Sequence, residues 1–134
     1  MVNDEIIKEI DKTHELSNEA LKFKQFDRYI EYFSENLKYV QLNGKEIGKR
    51  QLIQDITNYF RRIKSFSSKY ERKDYTINKD CVVETLVQQS KVSLRIFIFF
   101  SKNWTVEREG VYEWIKVNDS WKIVKVKILK EKVF

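Results

Sequence analysis

Apolar side chains along this chain recur first with a helical period and then with an alternating one, and the change falls near Phe66. At about 100° per residue, residues 3 to about 24 place Ile6, Ile10, Ser17 and Leu21 on one stripe, with Ile7, Thr13 and His14 beside it. The spacing predicts a helix whose inward face is apolar at its ends and polar in its middle. Asn3 suits the N-cap, and Asp4 and Glu5 suit the positive end of the helix dipole. Phe26, Tyr29, Ile30 and Phe33 then fall at i, i+3, i+4 and i+7, which predicts a short second helix with Asp27 in its first turn. Leu37 to Leu42 holds the strand-prone pair Tyr39 and Val40 and leads into Asn43-Gly44, the dipeptide that most favours a type I′ hairpin turn. Leu52, Ile53, Ile56, Tyr59, Phe60 and Ile63 make a third amphipathic stripe, with Arg61, Arg62 and Lys64 at the negative end of that helix.

After Phe66 no helical stripe returns. One strand is expected from about Ser67 to Ile77, a turn at Asn78, Lys79 and Asp80, and a long strand-forming segment from Cys81 to Ser101. In its first part the odd positions Cys81, Val83 and Val87 read as inward; in its second part the even positions Val92, Leu94, Ile96, Ile98 and Phe100 do. The phase therefore slips near Gln88 to Lys91, which predicts a β-bulge or a separate hairpin turn there. Trp104 to Val117 and Ser120 to about Glu131 complete the sheet across a tight turn at Asn118 and Asp119. Helices followed by antiparallel strands define an α+β arrangement.

The 134 residues suit a single domain, 1–134, and the 42% hydrophobic content with nineteen aromatic residues excludes a disordered chain. No apolar run approaches the length of a membrane span, the N-terminus lacks the basic-then-apolar pattern of a signal peptide, and the single Cys81 has no internal disulfide partner, so a cytoplasmic protein is expected. The net charge of +6 raises nucleic-acid binding, but the basic residues alternate with 20 acids along the whole chain and read as a solvated surface.

Two stretches resemble the nuclear transport factor 2-like superfamily, which includes ketosteroid isomerase, scytalone dehydratase and SnoaL-like polyketide cyclases. One is Phe26, Asp27, Tyr29, Ile30, Tyr32 and Phe33 leading through Glu35 and Asn36 to the strand before Asn43-Gly44. The other is Tyr112, Trp114, Lys116, Asn118, Asp119, Trp121, Lys122, Ile123 and Val124, similar to that superfamily's closing hairpin. The resemblance implies a cystatin-like cone: three N-terminal helices packed on a curved, mainly antiparallel sheet of about six strands, with a pocket at the open end. Such packing and turn residues specify fold and say little about chemistry.

Isomerases of this fold carry a base at the end of the first strand and an oxyanion-donating tyrosine on the first helix; the matching positions here are about Gln41 and near Ser17. A carboxamide accepts no proton at neutral pH, so the residues argue against ketosteroid-type isomerisation. His14 is the only histidine and the one candidate acid or base, read against a hydrogen-bonded core histidine. Metal-ligand spacings and glycine-rich phosphate loops are absent, so no metal or cofactor is expected. Ser17, Tyr39, Gln41, Tyr59, Tyr112 and Trp114 are the candidate lining of an apolar cup with a few hydrogen-bonding groups, for which core packing is the competing explanation. Phe97 and Phe99 oppose Ile96 and Ile98, which makes that strand apolar on both faces and predicts a homodimer through the outer sheet face. Three readings stay open: a binding domain for a small apolar or amphipathic molecule, a SnoaL-like cyclase, isomerase or hydrolase using His14, and a protein-interaction module.

Overall fold

The computed structural model describes residues 2–97 and 100–134, with side chains placed for 4–95 and 102–134. Helix α1 runs Val2–Lys22 and buries Ile10 and His14, which the predicted inward face includes, together with Ala20, which it does not. It ends in a Schellman motif. Lys24 takes a left-handed φ of 56°, the Gln25 N–H reaches Ala20 O at 2.7 Å and the Lys24 N–H reaches Leu21 O at 3.1 Å, so the last carbonyls are paired without a glycine. Helix α2 (Phe26–Ile30) follows, then strands β1 (Phe33–Val40) and β2 (Glu46–Ile47), and only then helix α3 (Lys49–Phe60). The expected block of three N-terminal helices is thus two helices, a short hairpin and a third helix.

Strands β3 (Ile63–Asn78), β4 (Cys81–Phe97), β5 (Phe100–Val117) and β6 (Ser120–Val133) form a long meander. With β1 and β2 they make one curved six-stranded sheet in the order β2-β1-β6-β5-β4-β3. All neighbours are antiparallel except β1 and β6, which run parallel with Phe33 opposite Ile123 and Tyr39 opposite Val126. The architecture is α+β.

The turns correct the sequence reading in an instructive way. At Asn43-Gly44 only Gly44 has positive φ, the Gly44 N–H bonds Gln41 O at 2.9 Å and the Gln41 N–H bonds Lys45 O at 2.9 Å. That is a three-residue loop with glycine in the left-handed position, not the two-residue type I′ turn. The two-residue form with both central residues left-handed occurs instead at Asn118 and Asp119, φ 49° and 65°, between the paired residues Val117 and Ser120.

The predicted slip at Gln88 to Lys91 is absent. β4 stays in unbroken register with β5 from Cys81 to Arg95, and its inward residues are even throughout: Val82, Glu84 and Leu86 are buried, as is Val92. Cys81, Val83 and Val87 therefore lie on the outer face. Bulges fall elsewhere, at Lys64 and Lys73 in β3, at Ile96 in β4, and at Val124 and Leu129 in β6. An extra residue re-aims the side chains beyond it, so Ile123, Val126 and Ile128 all face inward despite their uneven spacing. Phe99 and the side chain of Phe97, on which the expected dimer rests, lie outside the described residues.

The main core gathers Ile10, Phe33, Leu37, Leu52, Val82, Leu86, Trp114, Ile123 and Val126 between the helices and the inner sheet face. A smaller cluster of Phe60, Ile63 and Val92 sits toward the other end of the sheet. Full burial of an aliphatic or aromatic side chain contributes about 1.5–3 kcal/mol, enough in sum to carry a buried polar group within the core. No helix among the described residues is long and apolar enough to cross a membrane.

Candidate functional site

Residues opposite one another in register share a face, so the inner surface is a stack of rows. The first row is Ile77, Val82, Trp114, Ile123 and Phe33, and it is apolar. Next come Tyr75, Glu84, Tyr112, Val126 and Tyr39; then Arg72, Leu86, Gly110 and Ile128; then Tyr70, Gln88, Arg108 and Glu131. Two polar groupings stand on these rows.

The first is a closed network under α1. Glu84 is fully buried, and its Oε2 lies 2.7 Å from His14 Nε2 and 2.6 Å from Trp114 Nε1, while its Oε1 accepts from Arg72 Nε at 2.9 Å. An ionised carboxylate only accepts, so both His14 Nε2 and the indole carry the hydrogens. Arg72 donates its second nitrogen to Asp11 Oδ1 at 2.7 Å, and the same oxygen accepts from the Tyr70 hydroxyl at 2.7 Å. The imidazole is enclosed between the Tyr70 ring, 4.5 Å away, and the edge-on Trp114 ring, 5.1 Å away. The bulge at Lys73 explains how β3 supplies these partners: Tyr70 and Arg72 face inward before it, and Tyr75 and Ile77 after it.

Charge pairing decides the protonation of this network. Burial works to raise the Glu84 carboxyl, but hydrogen bonds and charge from His14 and Arg72 outweigh it and hold the group below the usual carboxylate range. Asp11 behaves alike, with burial opposed by Arg72 and Tyr70. Burial, then the bond to Asp11, pushes the Tyr70 phenol far above its ordinary value, so it remains a donor. Because both carboxyls are depressed in the folded state, their stabilisation is fully present above the unfolded carboxylate values near 4 and is lost as pH falls through the folded values. Urea titrations between pH 6 and pH 2.5 should show stability dropping below about pH 4, with a shallower fall in Glu84→Gln; identical slopes would contradict this assignment.

The second grouping stands on the inner face of β1, β4 and β5, with Tyr29 of α2 and Tyr59 of α3 within range of its charge. Tyr29, Tyr39, Tyr59 and Tyr112 all lie within the field of the Arg108 guanidinium. Burial raises each of these phenols, which keeps them protonated donors at neutral pH. Gly110 separates Arg108 from Tyr112 on the inner face and lets the tyrosine ring lie across it: a Cβ there would meet Tyr112 Cε2 at 3.2 Å and the main-chain oxygen of Lys127 at 3.3 Å. The ring thereby delivers its hydroxyl to Gln88 Oε1 at 2.9 Å, in the same row as Arg108. Arg108 Nε donates to Glu131 Oε2 at 2.9 Å.

The sequence-predicted lining is divided by this geometry. Tyr39 and Tyr112 share one inner-face row, and Tyr112 reaches Gln88 in the row of Arg108, while Tyr59 of α3 lies within range of the guanidinium charge. Trp114 is fully buried in the core and belongs to the Glu84 network. Ser17 bonds the main-chain oxygen of His14 at 3.2 Å within α1, and Gln41 sits on the β1–β2 loop, where its backbone closes the turn. Glu84, Arg72, Asp11, Tyr70, Arg108 and Gln88 escaped the sequence reading. Cys81 is half-buried, and burial followed by the charge of Glu113 raises its thiol, the reverse of an activated nucleophile.

No protein-family model and no curated protein matches the sequence. Solved structures do match. A protein assigned as a scytalone dehydratase from Novosphingobium aromaticivorans superposes with TM-score 0.82 at 8% identity, over 100% of this chain and 92% of its own. A conserved protein from Planctomyces limnophilus gives 0.81 at 12% identity over 100% of both chains. A type 2 hexachlorocyclohexane dehydrochlorinase gives 0.75 at 9% identity, over 98% of this chain and 90% of its own. The chain has the nuclear transport factor 2-like fold. At these identities the likeness concerns fold and leaves chemistry to the residues.

Proposed function

We propose that this protein is a cytoplasmic binding domain for a small amphipathic molecule, held in the tyrosine cup around Arg108. The observation that carries the reading is the inner-face register that sets Tyr39 and Tyr112 in one row and Gln88 and Arg108 in a nearby one, linked by the Tyr112–Gln88 hydrogen bond, with Tyr29 packed against the same cluster. Small-molecule sites have this composition: much apolar surface and a few aimed polar groups.

The contact of 2.7 Å between His14 and Glu84 favours a second reading, acid–base catalysis, and two of the structural neighbours bear the names of a dehydratase and a dehydrochlorinase. Against it, the His14 side chain is 6% exposed and Glu84 0%, and aromatic rings flank the imidazole. An oriented imidazole sealed from solvent ties a helix to a sheet more readily than it meets a substrate. The two readings separate in one pair of measurements. Titration with the neutral fluorophore N-phenyl-1-naphthylamine should show binding that Tyr39→Ala weakens and His14→Gln leaves unchanged. His14→Gln should instead lower stability by about 1–3 kcal/mol. Loss of a found turnover in His14→Gln at undiminished stability would instead establish the catalytic reading.

A further inference from the structure

We infer that the ligand of the tyrosine cup is a small organic anion, an apolar body bearing one acidic head group that seats on Arg108 in place of Glu131; this rests on the binding reading above. The polar groups of the cup are unbalanced toward donors. Arg108 presents five N–H bonds, and among the described residues only its Nε is matched, by Glu131. The Gln88 oxygen is taken by Tyr112, which leaves the carboxamide N–H groups of the neighbouring position in the same row. The hydroxyls of Tyr29, Tyr39 and Tyr59 have no hydrogen-bond partner among the described residues. Donors gathered without acceptors are satisfied by water or by an anion.

Glu131 is the natural group to be displaced. It lies on the exposed final stretch of β6, its carboxylate is about one-third exposed, and it holds Arg108 through a single nitrogen. A ligand acid engaging two guanidinium nitrogens side by side gains a bidentate geometry that the present contact lacks. The other charged cluster offers no such vacancy: both oxygens of Glu84 are taken, and Arg72 is engaged by two carboxylates. The aromatic surfaces of the cup suit an apolar body behind the head group.

The test compares two fluorophores of similar shape, 8-anilinonaphthalene-1-sulfonate, an anion, and N-phenyl-1-naphthylamine, which is neutral. The wild type should bind the anion more tightly, with affinity falling as salt rises. Arg108→Gln should weaken the anion at least about tenfold more than the neutral probe. Glu131→Gln, which preserves the cation and removes its competitor, should tighten the anion several-fold; this variant carries the test if Arg108→Gln fails to fold. Equal affinity for both probes, insensitive to Glu131→Gln, would overturn the anion inference and leave the binding cup standing. Failure of both probes to bind would overturn the cup itself.

Discussion

Glu84→Ala is expected to destabilise the protein by about 3–5 kcal/mol, because it removes the acceptor shared by three buried donors and leaves the Arg72 charge without its innermost partner. His14 Nε2, Trp114 Nε1 and Arg72 Nε all end on this one carboxylate. No water reaches the side chain to replace it, since its exposure is 0%. The loss should appear as a lower urea midpoint with an unchanged slope, the sign that stability rather than compactness has altered. A loss under 1 kcal/mol would mean that the network contributes little and that the apolar core alone holds α1 to the sheet.

The second large effect concerns the opposite charge. Arg72→Met keeps much of the stem volume but removes the guanidinium, so the Glu84 carboxylate is left with His14 and Trp114 as its donors, and Asp11 is left with the Tyr70 hydroxyl alone. A loss of about 3 kcal/mol is expected. Adding Glu84→Gln to it should recover most of that loss, because the buried charge that Arg72 neutralised is then gone. The two substitutions should therefore be strongly non-additive, as neighbours in one network are. Additive losses in the four-member cycle, measured by chemical unfolding, would show that Arg72 acts mainly through packing or through Asp11.

These experiments bear on what sequence alone discloses. The helices α1 and α3 were legible because their stripes are repeated over several turns, and α1 also carries Asp4 and Glu5 in its first turn and Lys22 in its last. The hidden part was β4, and its own chemistry hid it. A reader expecting apolar residues inward finds Glu84, Gln88 and Ser90 at even positions and Val83 and Val87 at odd ones, and so assigns the first half of the strand to the wrong face. The polar groups that spoil the alternation are the candidate site. With the phase reversed, Glu84 points away from α1, and His14 has no visible partner. The β6 bulges erase the period in the same manner, spacing the buried Ile123, Val126 and Ile128 unevenly. Arg108 and Gln88 were missed for a different reason: each is one polar residue in a strand full of them, and only the register sets them side by side.

The parallel seam between β1 and β6 has a consequence for how the chain reaches this structure. The hairpins β3–β4, β4–β5 and β5–β6 join neighbours in sequence and can zip from their turns, but Phe33 meets Ile123 across 90 residues of chain. Closing so long a loop costs entropy before any contact repays it, so this seam belongs to the late, slow part of folding. Until it forms, the inward side chains of β1, Phe33 and Leu37 among them, lack the sheet against which they finally pack. That waiting interval, rather than any weakness of the finished fold, is when the chain is most open to sticking to a second copy of itself.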